Sequence, residues 1–276
     1  MNQCIDIMIL ITNDDGYNAT GIRKLYESAS GLDETIMVAP DSMRSASGMT
    51  MSFTVPLRMN SLENYGINGY SISGYPADCI AMAKHILLKD KNIDLVISGI
   101  NYGSNISLRA LYTSGTISAA MAAALTGIKG MAFSMVTENA NTKKGADFDK
   151  AGIISKYIIS EFLKNGFPEN ADVLNINFPE KIDENTKIKV VPMLNNVFVD
   201  FVNSYKDPTG KDYYWFGNTM GSFNEKNSDY YVLMKEKNIS VTPLTVHGHN
   251  VKDLNPTIKF FNNVSRAIYE DDISDM

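Results

Sequence analysis

A near-continuous apolar run close to the start of the chain, IDIMILIT at residues 5–12, constrains the fold more than any other feature. Runs of this kind are typical of strands that are buried on both faces of a sheet. Similar runs recur at residues 35–40, 94–99 and 130–135. Burial on both faces requires a covering layer on each side, so these runs predict a sheet that lies between helices.

Helix-like patterns separate the apolar runs. Ile22, Leu25 and Ala29 recur at helical spacing after the first run, and a proline opens a second helical segment at residues 76–88. Small residues dominate a third helical segment, residues 114–127. Strands that alternate with helices are joined by right-handed crossovers, which makes them parallel neighbours in one sheet. The sequence therefore predicts an α/β fold with a mostly parallel sheet flanked by helices.

The second half of the chain changes character. A strand at 173–178 continues the pattern, and residues 187–225, which are rich in Tyr, Asn and Gly, predict a β-hairpin with its turn at 208–210. A further strand is predicted at 238–246 and a helix at 254–269.

These patterns predict how the chain is divided. We expect a catalytic core in residues 1–185, to which residues 226–250 return. Residues 186–276 would form an extension for oligomerisation, made of the β-hairpin and a C-terminal helix. The aromatic segment 195–225 favours a contact with a neighbouring subunit, because Tyr and Trp are enriched at protein interfaces. Stacking on a nucleotide base is the alternative.

Composition and charge restrict the function. The 25 basic and 31 acidic residues give a formal net charge of −6, whereas a protein that wraps duplex nucleic acid needs a basic face. The first residues lack the basic region of a signal peptide, and no apolar run approaches the roughly 20 residues of a membrane span. Cys4 and Cys79 lie far apart in apolar contexts, which favours buried thiols over a disulfide or zinc site. We therefore expect a cytoplasmic protein whose partners include neither membranes nor duplex nucleic acid.

Asp14 and Asp15 raise the first chemical question, because two like charges stand together where the first strand ends. Successive side chains of a strand point to opposite faces, so both serve one site only if the chain has turned, and Gly16 permits such a turn. Adjacent carboxylates repel unless a cation or a shared proton intervenes, and a divalent ion with oxygen ligands resolves this repulsion. The alternative is a solvated turn in which one aspartate caps the next helix.

Other polar segments follow the neighbouring strands, at the edge where parallel sheets bind ligands. Residues 41–47 follow the second strand, and residues 101–105 follow the third. The helix start at YTSGT offers free amides and the hydroxyls of Ser114 and Thr116, which suit an anion, although an ordinary helix cap is the alternative. Cation ligands beside an anion site suit a phosphate ester polarised by a metal ion. The glycine fingerprints of dinucleotide-binding and P-loop proteins are missing.

Several segments together resemble the SurE survival-protein family, whose members are metal-dependent 5′/3′-nucleotidases, also called acid phosphatases. The segments, in chain order from residue 7 to about residue 245, are NDDGYNATGI, VAPDSMRSASG, GYPADCI, VISGINYGSN, YTSGTISAAM, LNINFP and ISVTPL. The resemblance implies a Rossmann-like α/β domain with a C-terminal β-hairpin extension. It also implies a homodimer or homotetramer that is assembled by exchanged C-terminal elements.

The resemblance further implies which residues form the site. The family holds one divalent metal ion, Mg²⁺ or Mn²⁺, and the positions that match its ligands are Asp14, Asp15, Ser45 and Asn101. The positions that resemble its phosphate-binding groups are Asn105, Ser114, Gly115 and Thr116.

The chain departs from the family pattern in two places. Ala122 and Ala123 stand where the family often has Glu-Gly, and TVHGHN follows the VTPL motif where an aspartate is usual nearby. The alanines bear on a supporting or interface contact and not on the metal ligands. His247 and His249 have a spacing seen in metal sites, but two ligands without a third favour plain surface histidines.

The site residues predict hydrolysis of a phosphate monoester at one divalent metal ion, and the resemblance implies that the substrates are nucleoside 5′- and 3′-monophosphates, which yield nucleoside and phosphate. We expect one of Asp14 and Asp15 to anchor the metal ion and the other to accept a proton from the attacking water. A phosphoaspartyl intermediate is the competing route. Two other classes stay open: a nucleotide-binding regulator without turnover, and a metal-dependent nucleotide-sugar transferase.

Overall fold

The computed structural model describes residues 7–137 and 147–247. These residues form a nine-stranded sheet with helices on both faces and a separate two-stranded hairpin. Across the sheet the strands are β3 (Met59–Ser61), β4 (Gly69–Ile72), β2 (Glu34–Pro40), β1 (Met8–Thr12), β5 (Leu95–Tyr102), β6 (Lys129–Met135), β7 (Val173–Phe178), β11 (Ile239–Leu244) and β8 (Ile188–Val190). The hairpin consists of β9 (Phe198–Lys206) and β10 (Asp212–Met220). The α-helices are α1 (Thr20–Ser30), α2 (Pro76–Met82), α3 (Ser107–Thr113), α4 (Gly115–Ala124) and α5 (Phe148–Asn165).

Six neighbouring strands, from β4 across to β7, run parallel, and β3 and β11 flank them in antiparallel pairing. The predicted α/β fold with a mostly parallel sheet flanked by helices, and with a β-hairpin, is therefore confirmed. From β1 the chain moves to β2 and β4 on one side and later to β5, β6 and β7 on the other. The strand order thus reverses between β1 and β5, which is where open α/β sheets bind ligands.

The residues of β1 show why the sheet is covered on both faces. Ile9 and Ile11 belong to a core that includes residues of α1 and α5, whereas Met8 and Leu10 belong to a core that includes residues of α2. Successive strand residues point to opposite faces, so the run MILIT supplies both cores at once. All five residues of the strand are buried, as the near-continuous apolar run predicts.

The predicted elements are observed, with several differences. The structure adds β3 and α3, which the sequence patterns did not indicate. Strand β5 continues to Tyr102, so Asn101, which was predicted to follow this strand, lies within it. The segment predicted as a helix at 76–88 is α-helical to Met82 and continues as a π-helical turn, Ala83–Leu87. The short strand β8 pairs in parallel with β11 in the main sheet, which gives the outer edge of β11 a partner. The helix predicted at 254–269 lies outside the described residues. Within the described ranges, no helix is both long enough and apolar enough to cross a bilayer.

The hairpin turn has the expected position. Oδ1 of Asp207 accepts hydrogen bonds from the backbone N–H groups of Thr209 and Lys211, at 2.8 and 3.0 Å. Gly210 has a φ of +84°, a left-handed conformation that glycine adopts without steric cost. The PTG sequence at 208–210 is therefore the hairpin turn, as predicted.

At Gly21, helix α1 lies directly against the backbone of β5. A Cβ atom at this position would lie 1.8 Å from the carbonyl oxygen of Ile100. Helix α1 therefore accepts a glycine in its first turn, although glycine costs about 1 kcal/mol relative to alanine in a helix.

We expect Gly21→Ala to lower the free energy of unfolding by at least about 2–3 kcal/mol, because the added methyl group must displace backbone. Chemical denaturation measures this change. Ser30→Ala, at an exposed position of the same helix, is the matched control and should change stability by less than about 0.5 kcal/mol. A Gly21→Ala variant as stable as the unsubstituted protein would contradict this close contact between helix and strand.

Candidate active site

The turn after β1 is fixed by Asn13. This residue is buried, and its Nδ2 donates to the carbonyl oxygen of Gly16 at 3.0 Å while its Oδ1 accepts from the N–H of Gly16 at 3.2 Å. Gly16 has a φ of +92°, in the left-handed region that favours glycine. The chain therefore turns at Gly16 as expected, and Asp14 and Asp15 lie in the turn and not in the strand.

Two backbone hydrogen bonds join this turn to the last residue of β2 and to the segment that follows it. The N–H of Tyr17 donates to the carbonyl oxygen of Pro40 at 3.0 Å, and the N–H of Arg44 donates to the carbonyl oxygen of Asp14 at 2.7 Å. Residues 41–47, which the sequence assigns to the same edge of the sheet, therefore lie against the aspartate turn.

Asp14 is the buried member of the pair, with 6% of its surface exposed. The Thr116 hydroxyl donates to Oδ1 of Asp14 at 2.5 Å, which joins the turn to the first residues of α4. Burial raises the pKa of Asp14 from 3.8 to about 7; the Thr116 hydrogen bond opposes this rise, and the negative charge of Asp15 adds to it. An ionised Asp14 is therefore costly unless a cation lies beside it.

Asp15 and Asn101 connect the turn to the end of β5. The N–H of Tyr102 donates to Oδ2 of Asp15 at 3.2 Å. Nδ2 of Asn101 donates to the carbonyl oxygens of Tyr102 and Gly103, at 3.1 and 2.8 Å. Both contacts of Asn101 engage its amide nitrogen, so its amide oxygen is turned away from them and is suited to a cation.

A bulge in β5 precedes Asn101. The register with β6 shifts between Ser98 and Asn101, and Gly99 has a φ of +122°. A Cβ atom at Gly99 would lie 2.1 Å from the carbonyl oxygen of Phe133, so only glycine fits. Bulges re-aim side chains and are common beside active sites. The glycine of the SGIN motif therefore permits the irregular backbone that presents Asn101.

The start of α4 lies directly against Asp14. A Cβ atom at Gly115 would lie 2.7 Å from Cβ of Asp14 and 2.8 Å from Oγ of Ser47. Oγ of Ser114 accepts a hydrogen bond from the N–H of Ile117 at 3.2 Å, so Ser114 is also a helix cap. The residues predicted to bind phosphate thus adjoin a predicted metal ligand.

Two serines of the loop after β2 bear on the site. Ser45, a predicted ligand, is exposed. Ser47, which was not a predicted ligand, has a buried Oγ that forms no hydrogen bond with the described part of the chain. Buried hydroxyls normally have partners, and this one lies beside Gly115 and Asp14, so Ser47 is a further candidate for the site. The run of hydroxyls in residues 41–47 was the available signal.

Asn105 is tied to β6 and β7. Its Nδ2 donates to Oγ of Ser134 at 2.9 Å, and its N–H donates to Oδ1 of Asn177 at 2.7 Å. Its carbonyl oxygen accepts from Nδ2 of Asn175 and of Asn177, at 2.8 and 3.2 Å. The supporting role of Asn175 and Asn177 was not predicted, although two amides in an otherwise apolar strand were a usable signal. The phosphate-binding role of Asn105 stays a prediction.

These residues fit a hard divalent cation. The carboxylates of Asp14 and Asp15, the amide oxygen of Asn101 and the hydroxyl of Ser47 are oxygen donors, the ligand type that Mg²⁺ and Mn²⁺ prefer. The described ranges hold no group of three or more His, Cys, Asp or Glu suited to a metal. A metal site here would therefore combine two carboxylates with neutral oxygens. His249 lies outside the described residues.

Comparisons with known proteins match the segments that form this site. The family model described as Survival protein SurE matches residues 9–200. The chain belongs to the SurE family. It is 46% identical over 258 residues to the 5′-nucleotidase SurE of Picrophilus torridus, covering 94% of this chain and 98% of that protein. It is 36% identical over 241 residues to the 5′-nucleotidase SurE of Methanocella arvoryzae, covering 86% and 91%.

A solved SurE structure has the same fold. The crystal structure of the SurE protein from Aquifex aeolicus matches with a TM-score of 0.78 and 34% sequence identity, over 92% of this chain and 99% of that one. The predicted family is confirmed, and the region matched by the SurE model includes every predicted site residue from Asp14 to Thr116.

The raised pKa of Asp14 predicts how the stability of the metal-free protein depends on pH. The folded state holds the Asp14 proton more tightly than the unfolded state, so protonation of Asp14 stabilises the folded protein. This contribution to stability is full below pH 3.8 and is lost as pH rises through about 7. Its size is at most about 4 kcal/mol. In the presence of a chelator, the unfolding temperature of the unsubstituted protein should therefore fall as pH rises. The unfolding temperature of Asp14→Asn, which lacks this titration, should fall less over the same range.

Asp90→Asn is the matched control, because the Asp90 side chain is 86% exposed. Its unfolding temperature should follow that of the unsubstituted protein across the same pH range. Parallel curves for Asp14→Asn and the unsubstituted protein would contradict the assignment.

Proposed function

We propose that this chain is a 5′-nucleotidase, a metal-dependent phosphomonoesterase that hydrolyses nucleoside 5′-monophosphates to nucleoside and phosphate. The observation that carries the proposal is the contact between Asp14 and the start of α4, where Thr116 Oγ1 lies 2.5 Å from Asp14 Oδ1. This contact sets a carboxylate suited to a cation beside amides suited to a phosphate. Relatives up to 46% identical carry the name of this activity, and neither the regulator nor the transferase alternative is favoured.

The metal ligands in this proposal are the four predicted ones, Asp14, Asp15, Ser45 and Asn101, and they would hold one Mg²⁺ or Mn²⁺. Ser47 is a further oxygen donor beside Asp14. A bound divalent ion supplies positive charge that neutralises the charge developing on the phosphoryl oxygens. The same charge offsets the cost of ionising Asp14 in its buried turn.

The two aspartates take different roles in this proposal because their surroundings differ. Asp14 is buried and is held by the Thr116 hydroxyl, which suits a residue that keeps one orientation as a ligand. Asp15 is half-buried and therefore closer to solvent. We assign to Asp15 the acceptance of a proton from the attacking water.

The start of α4 supplies donors for the phosphate. The first N–H groups of a helix have no carbonyl partner within it. That of Ile117 is satisfied by Ser114, and that of Gly115 is directed to Asp14. We therefore assign the N–H of Thr116 and the hydroxyl hydrogen of Ser114 to the phosphate oxygens. The Thr116 hydroxyl holds Asp14 instead.

Asp15→Asn tests the proposal. We expect kcat for a nucleoside 5′-monophosphate to fall about 10³-fold or more, because one ligand charge and the proton acceptor are lost together. Phosphate release is measured with Mn²⁺ or Mg²⁺ and again in chelator, which should abolish turnover by the unsubstituted protein. Asp90→Asn should retain full activity. Turnover that persists in chelator, or in Asp15→Asn, would falsify the metal mechanism.

We further infer that the hairpin β9–β10 joins copies of this chain into a homodimer or homotetramer. Its strands pair along nine residues, yet almost all of their side chains are exposed. Two-stranded hairpins are marginal in water, and exposed aromatic residues are typical of interfaces. Large apolar side chains exposed on the hairpin are Val199, Phe201, Val202, Tyr205, Tyr213, Tyr214, Trp215, Phe216 and Met220.

Trp215→Glu should therefore lower the molecular mass in solution, because a charge would have to be buried in the subunit contact. Light scattering after size-exclusion chromatography measures the mass. Tyr157→Glu, which changes an exposed tyrosine of α5, is the control. A Trp215→Glu variant with unchanged mass, or a monomeric unsubstituted protein, would exclude the hairpin contact.

A further inference from the structure

A cavity of about 670 Å³ lies at the carboxyl ends of β2 and β4, at the same edge of the sheet as the aspartate turn. Its volume is within the range of about 300–1,000 Å³ that is usual for small-molecule sites. We call it the tyrosine pocket. The lining residues that bear on its chemistry are Tyr17, Asp41, Asn60, Asn64 and Tyr65.

Two residues that line the tyrosine pocket, Tyr17 and Asp41, lie close to the aspartate turn. Tyr17 follows Asp15 with only Gly16 between them, so their Cα atoms are at most about 7 Å apart. Asp41 follows Pro40, whose carbonyl oxygen accepts the N–H of Tyr17 at 3.0 Å. A phosphate beside Asp14 and Asp15 and a ring in the tyrosine pocket can therefore belong to one small molecule.

The two tyrosines offer an aromatic surface to a ligand. Their ring centroids are 5.9 Å apart, with an interplanar angle of 60°, in an edge-to-face contact. Tyr65 is 57% exposed, and it is presented by a 3₁₀ turn that is anchored by the buried Leu62, whose carbonyl oxygen accepts the Tyr65 N–H at 2.9 Å. Aromatic side chains held in this way can stack on a nucleobase of any kind, because every base has an aromatic face.

Asp41 offers a hydrogen-bond acceptor to hydroxyl groups. Ser42 Oγ and Arg44 Nη2 both donate to Oδ1 of Asp41, at 2.9 and 3.3 Å, which leaves Oδ2 for a ligand. Asn60 and Asn64 are exposed on the pocket wall, and each carries an amide that both donates and accepts. The pocket thus combines stacking surface, a carboxylate and amides, which are the groups that bind a base and a sugar.

We propose that the tyrosine pocket binds the nucleoside part of the substrate, with the base against Tyr65 and Tyr17 and the ribose hydroxyls donating to Asp41. This inference rests on the proposed function, since it names the subsite that makes a phosphomonoesterase select nucleotides. Phosphate esters that lack a ring use the proposed metal ligands and the start of α4, but not the tyrosine pocket.

The first experiment compares adenosine 5′-monophosphate with glycerol 2-phosphate, an ester that has no ring. Tyr65→Ala should lower kcat/KM for the nucleotide about tenfold, mainly through KM, and leave kcat/KM for glycerol 2-phosphate unchanged. Tyr65→Phe should keep the activity on both esters. Tyr157→Ala, at an exposed tyrosine of α5, is the matched control and should change neither.

Equal effects of Tyr65→Ala on both esters, or no effect on either, would overturn the subsite while leaving the proposed function intact. If the unsubstituted protein hydrolyses neither ester, the proposed function fails instead. Calorimetric binding of adenosine 5′-monophosphate with Mg²⁺ then tests the pocket directly. Weaker binding by Tyr65→Ala than by Tyr157→Ala would support it, and equal binding would overturn it.

A second experiment tests the contact to the sugar. Asp41→Asn should lower kcat/KM for adenosine 5′-monophosphate about tenfold and leave that for its 2′,3′-dideoxy analogue unchanged, because only the first substrate carries the hydroxyl donors. Arg44 donates a hydrogen bond to Asp41, so Asp41→Asn could also shift the loop that carries Arg44. Such a shift would affect both substrates, and the dideoxy nucleotide controls for it. Equal loss on the two substrates would overturn the role of Asp41.

Discussion

The hydrogen bond between Thr116 and Asp14 is the interaction on which the rest of the site depends. It links the turn after the first strand to a helix that begins about a hundred residues later, and both partners are buried. The bond stabilises the ionised carboxylate only in part, because burial still raises the pKa of Asp14 to about 7. Without a bound cation, an ionised Asp14 is therefore unfavourable in this buried turn. A cation beside it removes this cost, which favours binding of a metal ion.

The surrounding segments are each fixed by a separate local device. The side chain of Asn13 closes the aspartate turn, the bulge at Gly99 presents Asn101, and Ser114 caps α4. Asn177 together with Asn175 holds the loop that carries Asn105. The side chains of Asn13, Asn175 and Asn177 are neither phosphate donors nor metal ligands in our proposal, so they orient the reactive groups without taking part in the reaction. Thr116 and Ser114 differ from these residues, since the Thr116 hydroxyl holds Asp14 while its amide faces the phosphate, and the Ser114 hydroxyl both caps the helix and donates to the phosphate.

Much of this arrangement could be predicted from local patterns. The buried run of β1, the turn at Gly16 and the cap at Ser114 follow from residue type and spacing, and the motifs indicated the SurE family. Local patterns could not show that Asp14 is buried while Asp15 is half-exposed, because this difference depends on packing against α4. That the Ser47 hydroxyl is buried without a partner could not be predicted for the same reason, although the run of hydroxyls around it was present in the sequence. The division of the chain into core and extension, and the metal and phosphate roles of the individual residues, stay predictions.

The close approach of Gly21 to Ile100 has a consequence for how substrate preference could change. Helix α1 follows the aspartate turn, and Ile100 immediately precedes Asn101, so this backbone contact locks the two halves of the predicted ligand set into one rigid unit. Such a unit has little freedom to reshape itself around a new leaving group. Changes in substrate preference are therefore expected outside this unit, at Asn60, Asn64 and Tyr65, which are exposed in the tyrosine pocket and are not among the proposed metal ligands.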